Sequence, residues 1–596
     1  MSASAALSTF DDRLPFLGVA RSATGKVWRD RLDQRGTARA LAITQRHQLP
    51  EMLARVLAGR GVEIDAVPDF LDPTVRKLMP DPFTLTDMQV ATRRIADAAI
   101  KGERVAIFGD YDVDGATSAA LLAWHLRHAG LDPLIHIPDR LFEGYGPNVE
   151  AVRALAAKGA TLLITVDCGT TSVEPLSEAK KLDLDVLVID HHQCGDDLPL
   201  VTALVNPNRP DDLSGLGQLA AVGLVFVTLV AVNRELRQRG FWRDERPEPD
   251  LLGALHHVAL GTVADVAPLT GLNRALVAKG LIALRRRDHV GHTALMDVSR
   301  LSGPPEAWHL GFLLGPRINA GGRIGRADLG VRLLLEADPT EAARIAGELD
   351  RLNTERRLIE QAAEAQAEAE AIAALGLEDK GAVIVTASEG WHPGIVGLVA
   401  SRLKEKFSRP VFAVALEPGG IGTGSGRSIS GVDLGKAVRQ AVHDGVLIKG
   451  GGHAMAAGVT LRKERLAEFR AYMESALTVS ARAVTVDFVR TLERAGPFGS
   501  GNPEPLIALP GHQLVFADEV GQAHLRLRFK SGDGAMINGV AFRSVGQKLG
   551  RALSENRGQT LHVAGYLAID RWQGAERVQF RVADVAVPDP GPALIR

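Results

Sequence analysis

Between Val105 and Leu269 the chain alternates short β-branched runs with helical stretches, and its three clearest runs all lead into an aspartate. They are Val105-Ala-Ile-Phe108, Leu162-Leu-Ile-Thr-Val166 and Val186-Leu-Val-Ile189, leading into Asp110, Asp167 and Asp190. Runs that are apolar throughout suit strands covered on both faces, so the pattern predicts a parallel sheet of βαβ units. In such sheets ligands sit beyond the carboxyl ends of the strands. The expectation is an α/β domain whose acidic side chains converge on one edge.

That domain occupies part of a 596-residue chain. Single cores stop growing near roughly 250–300 residues, so several domains are expected. Asp338-Pro-Thr-Glu341 has the form of a helix start, with an N-cap Asp, Pro at the first position and Glu three residues on. Rich in Ala, Glu, Arg and Leu, the stretch from Ala342 to Leu375 predicts one long helix, which we read as a rigid connector. A dimerising coiled coil is the weaker alternative, because the second half lacks a heptad seam. A second αβ domain opens at Ala382-Val-Ile-Val-Thr386 and carries two glycine-rich segments, Gly422-Thr-Gly-Ser-Gly-Arg427 and Gly450-Gly-Gly-His453. We read both as turns or flexible backbone able to approach an anion closely. Towards the C-terminus the period changes to two: Leu525, Leu527 and Phe529 alternate with Arg526, Arg528 and Lys530, predicting a β domain with a basic outer face. The boundaries expected are an N-terminal segment over 1–80, an α/β domain over 81–338, a connector over 339–378, a second αβ domain over 379–485 and an all-β domain over 486–596.

Composition sets limits on partners. With 69 basic and 71 acidic side chains the formal charge is −2, so a polyanion has to be held by local basic patches or by metal ions. Residues 481–596 carry 14 Lys and Arg against 11 Asp and Glu, a mild excess of the opposite sign. Met1 to Leu17 includes Asp11 and Asp12 and has no basic stretch followed by an apolar one, so no secretory signal is read. The longest apolar stretch, Leu219 to Val232, is shorter than the roughly 20 residues a bilayer span needs and reads as a buried helix. We expect a cytoplasmic protein with no membrane contact and with Cys168 and Cys194 as reduced thiols.

The segment with the sharpest chemistry is Gly109-Asp-Tyr-Asp-Val-Asp-Gly115, where three carboxylates alternate directly after a strand. Gathering that much negative charge is costly unless cations compensate it. An EF-hand loop opens in the same way, but its twelfth position should be Glu and is Leu121, and an incoming helix should precede it. Single carboxylates in such positions cap helices; three together point to metal. Asp167, the Asp190-His191-His192 run and Asp265 in Leu260-Gly-Thr-Val-Ala-Asp-Val266 join the set. Carboxylates with one or two imidazoles suit a pair of divalent ions, Mn²⁺ or Mg²⁺. Cys168, beside Asp167, reads as packing and not as a nucleophile.

These motifs resemble the four motifs of the DHH phosphoesterases: Asp110-Tyr-Asp-Val-Asp114, Asp167, Asp190-His-His192 and Gly261-Thr-Val-Ala-Asp265. Gly450-Gly-Gly-His453 is similar to the DHHA1 domain that partners one branch of them. Arg317-Ile-Asn-Ala-Gly-Gly-Arg323, the long connector, Pro497-Phe-Gly-Ser-Gly-Asn-Pro503 and the β domain are similar to the RecJ branch, bacterial 5′→3′ exonucleases specific for single strands. The resemblance spans about residues 50–590. It implies a parallel-sheet DHH domain joined by a long helix to an αβ DHHA1 domain, followed by an all-β OB fold. It also implies two cations held by Asp110, Asp112, Asp114, Asp167, His191 and Asp265, with Asp114, Asp167, His191 and His192 carrying catalysis. Where most DHH proteins open the first motif with His, this chain has Phe108, a pattern shared with the RecJ branch in which Asp110 compensates.

For substrate, the resemblance implies that Ser425 and Arg427 hold a terminal 5′ phosphate and that His453 touches the scissile phosphate. Arg317, Asn319 and Arg323 then line the groove, and Arg140 and Tyr145 guide bases, with Tyr145 as a stacking face. The implied activity is metal-dependent hydrolysis of single-stranded DNA to 5′ mononucleotides by a monomer, in recombination and repair, with a single-strand-binding protein and a helicase nearby. Two alternatives stand beside it. One is a DHH/DHHA1 oligoribonuclease, which lacks the connector and the β domain. The other is an inactive DHH scaffold that only binds DNA, which would have lost metal ligands.

Overall fold

A computed structural model describes residues 15–20, 22–23, 27–140, 142–195, 197–375, 383–407, 410–428, 434–453, 455–481, 507–520, 523–530, 536–570 and 577–587. The Pro497-to-Pro503 segment lies outside the described residues. The chain divides into two compact units, one spanning Thr74–Leu492 and the other combining Met1–Pro73 with Pro503–Arg596.

The larger unit begins with a five-stranded sheet: β1 (Val105–Gly109), β2 (Leu134–His136), β3 (Leu162–Val166), β4 (Asp185–Ile189) and β5 (Ala203–Val205). Its order is β2-β1-β3-β4-β5 and every pairing is parallel. β1 and β3 are buried at every residue, as continuous apolar runs require. Chain direction across the sheet reverses between β1 and β3, so the loops leaving these two strands diverge to opposite faces and open a crevice at their carboxyl ends. Of the stretch Leu219 to Val232, all but the first two residues lie in the helix Ala221–Gln238, most of whose side chains are buried. Among the described residues no helix is long and apolar enough to cross a membrane.

The predicted long helix is observed over Pro339–Leu375, 37 residues. The Asp338 carboxylate accepts the Thr340 N–H at 3.0 Å, capping its start. Its first half buries Ile345, Leu349 and Leu352 in the core of the first domain. In the second half Ala363, Ala367 and Ala371, spaced by four, bury against Trp391, Ile395 and Val399. The absence of a heptad seam thus reflects a narrow stripe of small side chains that lets the next domain approach closely, and the helix is packed along both halves.

The second sheet has the order β6-β7-β8-β10-β9, from β6 (Ile384–Ser388), β7 (Val411–Leu416), β8 (Ile421–Arg427), β9 (Lys449–His453) and β10 (Ala456–Arg462). Both glycine-rich segments are strands here, which corrects the reading of them as turns or flexible backbone. In β8 the glycines alternate on the buried face, where a Cβ on Gly426 would lie 2.5 Å from the Phe412 ring and one on Gly424 2.8 Å from Val414. Glycine leaves room for the large side chains of β7, and period-two pairing places Thr423, Ser425 and Arg427 on the opposite face.

In the smaller unit β11 (Ile507–Val520), β12 (His524–Lys530), β13 (Met536–Ala541), β14 (Thr560–Asp570) and β15 (Arg577–Ala586) close into a barrel of order β11-β12-β13-β15-β14. Along β12 the alternation is as predicted, with Leu525, Leu527 and Phe529 inside and Arg526, Arg528 and Lys530 outside. The N-terminal segment packs on this barrel. Ser22 donates to the buried Asp584 carboxylate, the Ala23 N–H donates to Val585 O at 2.7 Å, and Val19 and Trp28 cover Ala564 and Ala586.

The alanine stripe yields a stability prediction. Ala367→Leu is expected to lower stability by roughly 1–3 kcal/mol through overpacking, whereas Ala365→Leu on the exposed side stays within about 0.5 kcal/mol. Calorimetric melting of the two variants checks this.

Candidate metal centre

β1 delivers Asp110 to the crevice, and Asp112 then caps the helix Val113–His128 by accepting the Gly115 N–H at 3.0 Å. A Cβ on Gly115 would lie 2.4 Å from the Asp110 carbonyl oxygen, so only glycine lets the helix start against the strand end. Asp114, in the first turn, is 1% exposed. Its two oxygens accept the Ala221 and Val222 N–H groups at 2.6 and 2.9 Å, at the positive end of the helix Ala221–Gln238. The helix Leu255–Ala264 presses onto the same carboxylate, where a Cβ on Gly261 would stand 2.9 Å from Asp114 Oδ1. Asp265 caps the far end of that helix.

Asp167 leaves β3 with φ of 61°, a left-handed conformation that Asp tolerates better than most residues and that turns its side chain into the crevice. Asp190 is held by four donors. It accepts the Thr170, His191 and His192 N–H groups at 3.1, 2.8 and 3.2 Å and His192 Nδ1 at 2.7 Å. It therefore orients the two histidines, with Oδ1 taking three of the four donors and Oδ2 one. His191 Nδ1 lies 3.1 Å from Leu219 O, which accepts its proton. Its Nε2 is left as a lone pair 3.2 Å from Asp167 Oδ1 and 3.8 Å from Asp114 Oδ2.

Three ligand-capable groups result, each with its donor atoms within 4.8 Å: Asp110, Asp112 and Asp167; Asp114, His191 and Asp265; and Asp167, His191 and His192. Asp167 is common to two of them. Asp110 Oδ1 and Asp167 Oδ1 are buried with no hydrogen-bond partner. Orphaned carboxylate oxygens facing one another need a cation, and the donor set, rich in carboxylate with a minority of imidazole, fits Mn²⁺ or Mg²⁺. A cavity of about 300 Å³ adjoins them, lined by Asp110, Asp112 and Asp265 and by the predicted Arg140, Tyr145, Asn319 and Arg323.

Comparison with known proteins decides the family. Residues 104–259 match the DHH family, N-terminal domain; 380–478 match the DHHA1 domain and 476–584 the RecJ OB domain. The single-stranded-DNA-specific exonuclease RecJ of Salmonella typhimurium is 36% identical over 570 residues, covering 90% of this chain and 96% of that protein. Its Escherichia coli counterpart is 35% identical over 576 residues with the same coverage. The chain belongs to the RecJ family. Its structure superposes on RecJ from Thermus thermophilus in complex with Mn²⁺ with a TM-score of 0.73 at 29% identity, covering 93% of this chain and 78% of that one. On the Mg²⁺ complex the TM-score is 0.68 at 28% identity, covering 93% and 77%. The family's cofactor is a divalent cation, and the fold is a DHH domain, a DHHA1 domain and an OB barrel in that order.

Phe108, at the position of the usual first-motif histidine, is fully buried with its ring 5.0 Å from that of His136. Asp110 stands in the ligand cluster. Arg317 is turned away from the cavity to Asp350 of the long helix at 2.8 Å and to Leu313 O at 2.7 Å. Arg427 donates to Ser425 Oγ at 2.7 Å, and both meet the first turn of the helix Val396–Phe407, where Gly397 leaves the space they occupy. His453 ends β9; its side chain lies outside the described residues.

Two features escaped the sequence reading. His392, in the loop after β6, faces Arg140, and both burial and that charge lower its pKa. Gly394 lets this loop lie on Arg323, whose carbonyl oxygen would be 2.3 Å from a Cβ. The signal was the stretch Trp391-His-Pro-Gly394 between a strand and a helix, a compact turn with no charged residue to draw attention. Cys168 is buried and burial pushes its thiol up, as packing requires.

Burial, then mutual repulsion, raises the pKa of Asp110 and Asp167 well above the carboxylate range and that of Asp265 to about 9. For Asp114 burial outweighs the charge of His191 and the two amide hydrogen bonds. A carboxyl whose pKa is raised on folding binds its proton more tightly when folded, so stability falls as pH rises from the ordinary range, near 3.8, towards the raised value. The metal-free protein should therefore melt at lower temperature at about pH 8.5 than at about pH 6, each such carboxyl costing at most about 1.4 kcal/mol per pH unit, and Mn²⁺ should abolish the difference. Thermal melts with and without chelator measure this.

Proposed function

We propose that this chain is a metal-dependent exonuclease for single-stranded DNA that works from the 5′ end and releases 5′ mononucleotides. The observation that carries the chemistry is Asp167, which groups with Asp110 and Asp112 on one side and lies 3.2 Å from His191 Nε2 on the other. That arrangement supports two ions sharing one carboxylate. When bound, such ions lower the pKa of water and offset the charge that develops on a phosphoryl group under attack.

The chain's own residues prepare the site. Asp114 is fixed by two backbone amides and offers a preset oxygen pair. His192 is drawn down by burial but held up by the Asp190 carboxylate, which brings its pKa to about 9. It thus carries a proton at neutral pH and donates a charge-assisted hydrogen bond to a phosphate oxygen. Tyr145, whose hydroxyl is 3.2 Å from His192, offers its ring as a platform for a base. Arg140 lies 5.2 Å from the Tyr111 ring centre and, with Arg323 and Arg427, forms a positive cluster. Burial, then this mutual repulsion, lowers the pKa of Arg323 to about 10. Arg427 is lowered by burial and then by Arg140. Cations crowded together in this way favour a phosphate among them, and Ser425 with Arg427 beside a helix start suits a terminal phosphate. The same reading takes the protein as a cytoplasmic monomer that acts in recombination and repair next to a single-strand-binding protein and a helicase.

Digestion of 5′-labelled and 3′-labelled single strands with Mn²⁺, Mg²⁺ or chelator tests polarity and metal need together. Asp114→Ala, Asp167→Ala or Asp265→Ala should abolish cleavage while DNA binding persists. Arg427→Ala should weaken capture of 5′-phosphorylated strands far more than of 5′-hydroxyl strands, and an equal loss would assign it another role. Replacing Arg526, Arg528 and Lys530 by Gln should leave short oligonucleotides cleaved at nearly the parental rate and reduce activity on long strands, increasingly so with added salt. Rates on oligonucleotides of graded length check this.

A further inference from the structure

Away from the carboxylate cluster, four histidines meet in one place. His256 and His257 lie in the first turn of the helix Leu255–Ala264, and His289 caps the helix Val290–Val298, which carries His292. Their ring centres are 4.3–5.0 Å apart in all six pairings. His256 is 7% exposed, and His257 and His292 are 1% exposed. Nothing in the nuclease reading uses them.

Their hydrogen bonds leave lone pairs free on His256 and His292, while His289 Nδ1 accepts the His292 N–H at 3.3 Å, a long contact that an ion would have to displace. His256 Nδ1 donates to Gly253 O at 2.7 Å, so its Nε2 is an acceptor. His292 Nε2 pairs with His257 Nδ1 at 3.2 Å. His256 Nε2 and His292 Nδ1 are buried with no partner. An orphaned buried nitrogen costs roughly 1–3 kcal/mol, so apolar side chains would fill this space at less cost if packing were its purpose. One nitrogen each from His256, His289 and His292 lies within 4.8 Å of the other two. Burial, reinforced by neighbouring rings, keeps these imidazoles neutral, which is the form that binds metal. In the adjoining cleft Asp288 adds a negative charge and Arg287 is paired with Asp297.

We propose that His256, His289 and His292, with His257 behind them, bind one divalent transition-metal ion of the zinc class as a structural site. The donor chemistry separates the two centres. Imidazoles without carboxylate select zinc-like ions, whereas the carboxylate cluster suits Mn²⁺ or Mg²⁺. Zinc holds nitrogen at roughly 2.0–2.1 Å, so the three rings close up by about an ångström on binding. The ion ties the start of the helix Leu255–Ala264 to the helix Val290–Val298, and the first of these presents Asp265 at its other end about 15 Å away.

Cobalt reports such a site by colour. The full chain carrying Asp114→Asn and Asp167→Asn, which weakens the carboxylate cluster, is stripped with chelator and dialysed against Co²⁺ alone. About one ion per chain should be retained with the intense visible bands of tetrahedral cobalt, and Zn²⁺ should bleach them. Adding His256→Gln and His292→Gln should remove both ion and bands. A colourless first protein, or a cooperatively melting second one that keeps its cobalt, overturns the proposal. If the second fails to fold, His289→Gln on the partly exposed cap takes its place: cobalt binding weakened at least about tenfold supports the site, and unchanged binding overturns it.

Discussion

Repulsion among buried carboxylates at the crevice between β1 and β3 is the constraint on which the rest of the structure depends. Asp110, Asp114 and Asp167 are each less than 5% exposed, and they face Asp112 and Asp265 with too few hydrogen bonds to neutralise them. Such a cluster persists only because surrounding elements over-determine it. The start of the helix Ala221–Gln238 holds Asp114, Asp190 holds two histidines through three donors, and glycines at 115 and 261 let the helices come close enough. A cation held among them would relieve the repulsion, so stability and metal binding would draw on the same electrostatics.

A second like-charge cluster, of opposite sign, complements the first. Arg140 comes from the loop after β2, Arg323 from the helix Gly315–Ile324 and Arg427 from β8 of the second sheet. These cations repel one another, and among the described residues none has an ion pair of the kind that joins Arg317, on the same helix as Arg323, to Asp350. Under the proposed function, cations on one side and the carboxylate cluster on the other would form a channel for a polyanion, each side set by where its sheet places its strand ends.

Much of this was legible in the sequence because the motifs lie on regular elements. Continuous apolar runs gave β1, β3 and β4 nearly to the residue, and parallel topology then forced Asp110, Asp167 and His191 together. Period-two alternation gave β12 with its basic face. What escaped was tertiary. Glycines that look like loop punctuation in Gly422-Thr-Gly-Ser-Gly-Arg427 are the small face of a strand, because Phe412 and Val414 fill the space that side chains would need. The family resemblance puts Arg317 in the groove with Arg323, but six residues along one helix point it towards Asp350. The packing of the N-terminal segment on the barrel rests on Ser22 and Asp584, more than five hundred residues apart, and no local pattern signals such a pair.

The long helix shows how the two halves of the channel keep their alignment. Its alanine stripe sets the distance of approach but not the register, since alanines spaced by four repeat along the axis. Register comes from polar chemistry on the same helix. Arg356 donates to Glu360 at 2.7 Å with both side chains about nine-tenths buried, and Arg402 of the neighbouring helix reaches Glu360 at 3.6 Å. That pair is internal to the helix and stays intact wherever the second domain sits, so register is read by the half-exposed Arg402, whose contact is worth at most about 1 kcal/mol. Sliding the second domain by one turn would pull Arg402 off Glu360 while leaving apolar contacts of similar quality. The contact therefore favours the one register that sets Arg427 close enough to Arg140 and Arg323 for their charges to interact.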